Sequence, residues 1–325
     1  MKVLLGTTFG GGDQFISELR SSFPGVAFEL AETEEQQQLH IRDAEAFYGW
    51  PSRESVLAAQ QLRWIHSLGT GIERIISIPE VVESDVIVTN ARGSHADPMA
   101  DHVFGMMLTF AHRLRELGED QRAHRWESRK YAGKMQELGG RTIGILGLGD
   151  IGSAVAQRAR SFGMNVYAIA LRPRSAPPGV KELWTPELLD DLIQMSDWFI
   201  VTVPLTPQTR GLIDERRIGL LKPDAYIIVI SRGGIVDLPA LTEALQAGRI
   251  AGAGLDAIGE EAFIPGWRLP PEDPLWDMEN VILTPHVSAF TPEMYARHRD
   301  EFKENLRLFL ASEPFSHVCD KRAGF

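Results

Sequence analysis

The sequence predicts an α/β fold built on parallel sheets, and three observations lead to this prediction. The chain has 325 residues, which suits two domains at about 150 residues per domain. Short apolar runs alternate with longer helical segments along most of the chain, as expected for parallel sheets covered by helices. One of these runs leads through a glycine-rich turn directly into a helix, which is typical of a βαβ unit.

The first third of the chain contains four predicted buried strands. They span Lys2–Gly6, Ala44–Tyr48, Arg63–Ser67 and Val86–Thr89. The polar run 32–38 is interpreted as a solvated loop or the edge of a helix. Ser94, three residues before Asp97, resembles a capping box. Because only Gly105 interrupts the apolar residues that follow, we predict one long helix over Met99–Leu117 and a role for it at an interface between domains or subunits.

The second part of the chain repeats the alternation. Strands are predicted at Arg141–Leu146, Asn165–Ala170, Trp198–Val203, Ala225–Ile230 and Val281–Thr284, and helices at Ile151–Phe162 and Thr291–Leu310. Gly163 suits a helix C-cap, since glycine readily adopts the left-handed conformation found there.

Composition excludes several classes of protein. Hydrophobic residues make up 44% and charged residues 24% of the chain, which is ordinary globular usage. The net charge of −11 repels nucleic acid and anionic lipid, so we expect neither as a partner. The single cysteine, Cys319, excludes an internal disulfide, and no apolar run is long enough to span a membrane. We expect a cytoplasmic protein without a signal peptide and, since no His, Cys and Asp residues have ligand spacing, without a metal.

A dinucleotide-binding turn is predicted after the strand at Arg141–Leu146. It consists of Gly147, Leu148, Gly149, Asp150, Ile151 and Gly152, which is the G-x-G-x-x-G pattern. Its first glycine makes the turn, its second lets the backbone approach a pyrophosphate, and its third lets the helix pack closely on the strand. The helix N-terminus then faces the anion.

The residues after the next strand bear on the choice of cofactor. An acidic residue about 20 positions beyond the turn usually holds the ribose 2′-hydroxyl. Here the strand ends in Ala170, and Leu171, Arg172 and Arg174 follow without an acidic residue. Two arginines suit a 2′-phosphate, so we predict NADP(H) as the preferred cofactor and NAD(H) as a possible one.

Three further polar groups follow predicted strands. Arg232 comes after one strand and before two glycines, Asp256 and Glu261 follow a second apolar run, and His286 follows the last strand. In open α/β sheets, ligands bind outside the carboxyl ends of the strands. We therefore expect these side chains at one edge of a sheet.

Taken together, these motifs resemble the D-isomer-specific 2-hydroxyacid dehydrogenase family, which includes glyoxylate/hydroxypyruvate reductases. The resemblance covers nearly the whole chain, with matching segments at Leu68–Glu73, Asn90–Gly93, Gly147–Gly152, Ser196–Pro204 with Thr209, Ile230–Asp237, Gly254–Glu261 and Thr284–His286. The sequence departs from the family at Ala262, where proline is frequent, at Thr202, where histidine is frequent, and in a longer loop over 263–271.

The resemblance implies roles for matching residues. Arg232 would bind the substrate carboxylate and polarise its 2-oxo group, since a guanidinium is permanently charged and forks onto carboxylates. His286 would exchange the proton of the substrate oxygen, and Glu261 would raise the pKa of His286 by hydrogen bonding. The backbone N–H groups of Leu68, Gly69, Thr70 and Gly71 would hold the substrate carboxylate. Cofactor contacts are implied for the glycine turn and for Leu171, Arg172, Arg174, Val203, Pro204, Thr209, Ile230, Ser231 and, directly or through neighbours, Asp256.

The resemblance also implies an architecture and a reaction. We expect two Rossmann- or flavodoxin-like domains with an active-site cleft between them, in a homodimer. Residues 1–98 with 288–325 would bind substrate, and residues 99–287 would bind the dinucleotide. The implied reaction reduces a small 2-oxo acid, resembling glyoxylate or hydroxypyruvate, to the D-2-hydroxy acid with NAD(P)H. Two alternatives remain, namely a phosphite-type NAD(P)-dependent dehydrogenase and a non-catalytic dinucleotide-sensing module.

Overall fold

The computed structural model describes residues 1–8, 10–172, 175–259 and 267–324. These residues form two compact units, each built on its own parallel sheet. The first unit comprises Met1–His95 and Phe290–Phe325, and the second comprises Ala96–Ala289. The chain therefore leaves the first unit after His95 and returns to it at Phe290.

The first unit contains five parallel strands, numbered in chain order. They are β1 Lys2–Leu5, β2 Ala27–Leu30, β3 Ala46–Tyr48, β4 Trp64–His66 and β5 Ile87–Thr89. Their order in the sheet is β2-β1-β3-β4-β5, which is the flavodoxin-like order. The helices of this unit are α1 Gly12–Ser22, α2 Glu34–His40, α3 Arg53–Ala58, α4 Glu73–Ile76, α5 Pro79–Glu83 and α12 Pro292–Ala311.

Both faces of the first sheet are buried, and β1 shows why. Successive side chains of a strand point to opposite faces, so Val3 and Leu5 join one core cluster and Leu4 joins another. α1 and α12 cover the face of Val3 with side chains that include Phe15 and Phe302. An all-apolar strand is therefore the expected sequence in this sheet.

The second unit contains seven parallel strands. They are β6 Thr142–Leu146, β7 Asn165–Ile169, β8 Glu182–Trp184, β9 Trp198–Val201, β10 Tyr226–Val229, β11 Gly252–Leu255 and β12 Val281–Leu283. Their order, β12-β11-β10-β9-β6-β7-β8, is the Rossmann order with one additional strand, and it reverses between β6 and β9. The helices are α6 Ala96–Ala111, α7 Leu114–Arg122, α8 Asp150–Ser161, α9 Leu189–Met195, α10 Glu215–Ile218 and α11 Leu238–Gln246.

The single helix predicted over Met99–Leu117 is wrong. α6 ends at Ala111, and Arg113 adopts the left-handed conformation with φ of 53° before α7 begins. α7 is anchored separately, because its buried Asp120 accepts hydrogen bonds from Tyr131 at 2.6 Å and Lys130 at 3.0 Å. The predicted capping box is also wrong. α6 begins at Ala96, and the Ser94 hydroxyl donates to the Ala91 carbonyl instead.

Of the two interpretations of the polar run 32–38, the edge of a helix is confirmed, because the run contains the start of α2. Its capping box joins Thr33 and Gln36, because the Thr33 side chain accepts from the Gln36 N–H and the Gln36 side chain accepts from the Thr33 N–H. This arrangement satisfies N–H groups at the helix start reciprocally. The sequence left both interpretations open because a short helix rich in glutamine shows no hydrophobic periodicity.

The C-terminal tail covers the edge of the first sheet. Val318 forms an antiparallel bridge with Thr89, and the Cys319 N–H donates to the Val88 carbonyl at 2.8 Å. Burial raises the pKa of the Cys319 thiol to about 12, so the thiol stays protonated and is a poor nucleophile. Within the ranges described, no helix combines the length and the apolar character needed to cross a membrane.

Candidate active site

The glycine turn joins β6 to α8 in a conformation that requires glycine. Gly147 has φ of +103°, and a Cβ there would lie 2.8 Å from Cγ1 of Val203. The N–H groups of Gly147 and Leu148 both donate to the Ile169 carbonyl, at 3.1 and 3.0 Å. The end of β7 therefore holds the turn in place.

Gly149 and Gly152 differ in the space that a side chain would find at each position. A Cβ on Gly152 would lie 2.0 Å from the Gly147 carbonyl oxygen, so only glycine lets α8 approach the turn this closely. Among the described residues, no atom other than those of Gly149 and its two chain neighbours lies within 4 Å of a Cβ built at Gly149. The first turn of the 12-residue α8 starts directly behind it, at Asp150. A bound pyrophosphate requires open space at the second glycine, close packing of the helix at the third, and a helix N-terminus facing the anion. The turn has all three features, so these residues fit a dinucleotide.

Thr202 also holds the turn, a function that the sequence analysis missed. Its hydroxyl donates to the Gly147 carbonyl at 2.6 Å and lies 3.0 Å from the Leu146 carbonyl. Because Thr202 follows β9, this contact joins the two strands at the point where the sheet order reverses. A threonine at the end of an apolar strand is the only sequence signal, and it does not reveal a partner 55 residues away.

Most of the other residues predicted to contact the cofactor follow β7 and β9. Leu171 and Arg172 are exposed after β7, whereas Arg174 lies outside the described residues. After β9, Val203 is half-buried and Pro204 is exposed. The Thr209 hydroxyl donates to the Pro204 carbonyl at 2.7 Å and accepts from the Thr206 N–H at 2.7 Å. The hydrogen bonds of Thr209 therefore stabilise the conformation of this loop. Its contact with a cofactor stays a prediction.

Arg232 and a buried hydroxyl follow β10. Ile230 is fully buried, and the Ser231 Oγ is also buried with no hydrogen-bond partner among the described residues. Nη1 of Arg232 donates to the Ser231 carbonyl at 2.7 Å. A buried hydroxyl without a partner is unfavourable, and a polar ligand at this strand end would satisfy it.

His286 follows β12 in a strained backbone conformation. Its φ is 56°, which places a non-glycine residue in the left-handed region. Its N–H donates to the Asp256 carbonyl at 2.9 Å and the Thr284 carbonyl at 3.0 Å. The predicted partner Glu261 lies outside the described residues. Strain of this kind is retained only where the surroundings hold it, often at functional sites.

Asp256, at the end of β11, is turned inward. Its side chain is fully buried, and its carboxylate accepts from the Thr284 hydroxyl at 2.6 Å and from the N–H groups of Val287 and Ser288 at 3.0 and 3.1 Å. These bonds favour the indirect form of its predicted role, in which it acts through neighbouring residues.

The sheet order brings the strand ends of this unit into one row. His286, Asp256 and Arg232 follow β12, β11 and β10, which are successive neighbours, and the glycine turn follows β6, two strands beyond β10. Neighbouring strands lie about 4.8 Å apart, so the ends of β12 and β10 are separated by roughly 10 Å. A dinucleotide on the glycine turn can therefore extend along the row towards the arginine and the histidine.

The predicted carboxylate-binding loop lies in the first unit, after β4. Three of its carbonyl groups accept hydrogen bonds. The Gly69 carbonyl accepts from the Ala91 N–H, and the Thr70 carbonyl accepts from the Asn90 side chain at 2.6 Å. The Gly71 carbonyl accepts from the Ser67 hydroxyl. In the part of the chain that the structure describes, no group accepts from the N–H of Thr70 or Gly71. Two available N–H groups in one short loop suit a carboxylate.

A neutral buried network supports this loop. The Ser67 carbonyl accepts from Nε2 of His298 at 3.2 Å, so Nδ1 of His298 accepts from the Tyr48 hydroxyl at 3.0 Å. Burial lowers the pKa of His298 to about 3 and lowers that of the neighbouring His66 well below 6.5. Neither imidazole therefore carries a charge near neutral pH, and both act as uncharged supports of β4 and the loop.

Trp267 packs within the second unit. Its ring lies over Gly259, where a Cβ would be 2.2 Å from Cζ2 of the indole, and it is partly buried against the core of that unit. Residues 263–266 of the long loop over 263–271 lie outside the described residues. No group of three His, Cys, Asp or Glu side chains suited to a metal occurs within the described ranges.

Comparison with known proteins identifies the family. A family model described as "D-isomer specific 2-hydroxyacid dehydrogenase, NAD binding domain" matches residues 104–288, which is more than half of the chain. The chain belongs to the D-isomer specific 2-hydroxyacid dehydrogenase family. This confirms the family predicted from the motifs, and the two parallel α/β units agree with the fold expected of it.

Relatives of the chain are named for two different activities. The chain is 33% identical over 286 residues to D-3-phosphoglycerate dehydrogenase from Mycobacterium leprae, an alignment covering 87% of this chain and 51% of that protein. The chain thus spans about half the length of this D-3-phosphoglycerate dehydrogenase. It is 34% identical over 259 residues to glyoxylate reductase from Korarchaeum cryptofilum, covering 79% and 75% of the two chains.

A solved structure of the family has the same fold. The crystal structure of a D-isomer specific 2-hydroxyacid dehydrogenase from Xanthobacter autotrophicus Py2, in complex with NADPH and MES, gives a TM-score of 0.84 at 28% identity, covering 100% of this chain and 99% of that one. The similarity therefore includes both sheet-based units.

Proposed function

We propose that this chain reduces a small 2-oxo acid, of the glyoxylate or hydroxypyruvate type, to its D-2-hydroxy acid with hydride from NAD(P)H. The observation that carries the proposal is the row of strand ends in the second unit, which holds the glycine turn, Arg232 and His286 in sequence. The membership of a dehydrogenase family and the glyoxylate reductase relative support the same reaction.

Each step of the proposed reaction uses a residue of this row or of the loop after β4. The bound reduced nicotinamide supplies the hydride. Arg232 binds the carboxylate and the 2-oxo group, because its guanidinium offers paired N–H donors and a permanent charge. In the first unit, the N–H groups of Thr70 and Gly71 offer donors that suit a carboxylate. His286 donates a proton to the oxygen as negative charge develops on it, and Glu261 assists by accepting a hydrogen bond from the other imidazole N–H of His286.

We propose NADPH as the preferred cofactor. Arg172 is exposed directly after β7, and no acidic residue stands at Ala170 to hold a ribose 2′-hydroxyl or repel a 2′-phosphate. The NADPH bound by the relative from Xanthobacter autotrophicus Py2 supports this choice. NADH remains an alternative substrate, since the pyrophosphate contacts are shared.

We propose a cytoplasmic homodimer. α6 buries residues such as Val103 and Met107 within its own unit, so most of its apolar face is already covered. The exposed apolar side chains nearest in sequence are Leu114, Met135 and Trp126, and Trp126 is 99% exposed. Such side chains favour an interface, and light scattering of the purified protein would measure the mass of the assembly.

Oxidation of NADPH or NADH tests the proposed reaction. The loss of reduced nicotinamide absorbance is followed with glyoxylate, hydroxypyruvate, pyruvate and phenylpyruvate, and D-3-phosphoglycerate is tested with the oxidised cofactors. Arg232→Lys and Arg232→Ala serve as paired variants, because lysine keeps the charge but not the fork. We expect turnover with a 2-oxo acid and a loss in kcat/KM of roughly 100-fold or more for Arg232→Ala.

Other outcomes would contradict the proposal. Equal activity of wild type and Arg232→Ala would remove Arg232 from the mechanism. Cofactor binding without turnover of any acid would contradict the reductase reaction, and phosphite as a hydride donor would then be tested. Failure of that donor as well would favour the dinucleotide-sensing module.

A further inference from the structure

A chain of hydrogen bonds reaches the loop of His286 from α6. Nε2 of His102 lies 3.0 Å from Oγ1 of Thr284, and that hydroxyl lies 2.6 Å from Oδ1 of Asp256. His102 is on α6, Asp256 follows β11, and Thr284 follows β12. Three elements that are distant in sequence therefore meet beside His286.

The direction of each hydrogen bond follows from the chemistry of its groups. An ionised carboxylate only accepts, so the single proton of the Thr284 hydroxyl is donated to Asp256. The Thr284 oxygen can then only accept from His102, which fixes the tautomer of His102 with its proton on Nε2. His102 thus donates to Thr284, and Thr284 donates to Asp256.

Asp256 holds the backbone at His286 and at the two residues that follow it. Its carbonyl accepts from the N–H of His286, and its carboxylate accepts from the N–H groups of Val287 and Ser288. These contacts lie at and directly after the residue whose φ is 56°. Because the left-handed conformation is unfavourable for a non-glycine residue, the loop needs such contacts to remain in it.

We propose that His102, Thr284 and Asp256 are positioning residues that hold the imidazole of His286 where it can donate its proton. The proposal rests on the proposed function, in which His286 is the proton donor. A displacement of about 1 Å can cost roughly 100-fold in rate, so a loop held less firmly loses catalytic rate. Substrate and cofactor affinity depend mainly on other residues, and they change less.

The test compares two changes at one position. Thr284→Val keeps the shape and removes the hydroxyl, whereas Thr284→Ser keeps the hydroxyl. For Thr284→Val we expect kcat to fall roughly 10- to 100-fold, while KM for the 2-oxo acid and Kd for NADPH change less than about threefold. Thr284→Ser should regain most of kcat. Thr109→Val is the matched control, since Thr109 is on the same helix as His102 and its hydroxyl donates only to the Gly105 carbonyl.

A second readout does not depend on turnover. Nitrogen-15 NMR of the imidazoles should show His102 with its proton on Nε2 in the wild type and a tautomer mixture in Thr284→Val. If Thr284→Val does not fold, His102→Leu and His102→Gln provide the same comparison, since glutamine keeps a donor.

The outcomes separate this proposal from the proposed function. Equal kcat in Thr284→Val and Thr284→Ser, or a proton on Nδ1 of His102 in the wild type, would overturn the positioning role. Absence of turnover in the wild type, with the predicted tautomer present, would contradict the proposed function while leaving the hydrogen-bond chain intact.

Discussion

Replacing Gly149 with alanine should weaken cofactor binding and leave the stability of the protein without cofactor nearly unchanged. No described atom lies within 4 Å of the position that the new Cβ would take. The backbone at Gly149, with φ of −80° and ψ of −156°, is accessible to alanine. We therefore expect the free energy of unfolding to change by no more than about 0.5 kcal/mol.

The expected loss of affinity comes from the space that the methyl group fills. If a pyrophosphate approaches the backbone at Gly149, the added carbon must displace it or the turn. Overpacking by a carbon in a close contact costs about 1–3 kcal/mol, which corresponds to a rise in Kd of roughly 5- to 150-fold. The loss should be similar for NADPH and NADH because both carry the pyrophosphate.

Fluorescence titration of reduced nicotinamide measures both dissociation constants, and calorimetry measures Tm. Gly105→Ala is the matched control, because its Cβ also meets no described atom outside its own helix backbone and chain neighbours, and it lies in a different element, α6. It should leave Kd unchanged and slightly stabilise the helix. An unchanged Kd in Gly149→Ala would refute the close approach of the cofactor to this backbone.

Three further predictions concern close packing, cofactor choice and pH. Gly152→Ala places a Cβ 2.0 Å from the Gly147 carbonyl oxygen, so a cost of about 1–3 kcal/mol should lower Tm by roughly 2–12 °C in calorimetry, even without cofactor. Arg172→Ala should raise Kd for NADPH roughly tenfold in the fluorescence titration, because a charged hydrogen bond to the 2′-phosphate is lost, and it should leave Kd for NADH unchanged. Burial lowers the pKa of His298 from 6.5 to about 3. Below about pH 6.5 the unfolded chain therefore binds a proton that the folded chain does not, and the free energy of unfolding should fall as the pH is lowered towards 3. Urea unfolding at a series of pH values should show this slope, and His298→Gln should reduce it.

Each of these predictions can be contradicted directly. A Tm of Gly152→Ala equal to that of the wild type would mean that α8 can move away from the turn at no cost. Equal changes in Kd for NADPH and NADH on removal of the Arg172 side chain would exclude a specific contact with the 2′-phosphate. A stability that stays constant as the pH falls would contradict the neutral buried state of His298.

The sequence predicted the parts of the fold that depend on local patterns. The strand before the glycine turn and the helix after it are confirmed because an apolar run, three glycines and an amphipathic segment each determine their own conformation. The break between α6 and α7 was not predicted, since Arg113 gives no sign of a left-handed residue. It depends on the anchoring of α7 through Asp120, a contact made outside the helix itself.

The sequence predicted those residues of the candidate site that belong to recognisable motifs. The strand-end positions of Arg232 and His286 followed from sequence order, because parallel strands place their carboxyl ends on one edge. Thr202, His102 and Thr284 contribute through partners that are far away in the chain. Ordinary threonine and histidine residues carry no local signal of such contacts, and only the assembled sheet brings them together.

The measurement that tests the central claim most directly is the rate of a single turnover in His286→Asn. NADPH and the best 2-oxo acid are mixed with excess enzyme, and cofactor oxidation is followed alongside Kd for NADPH. Loss of a general acid should lower the rate roughly 100- to 10,000-fold while cofactor affinity stays unchanged. A near-normal rate in His286→Asn would show that His286 does not supply the proton, and the proposed mechanism would be wrong.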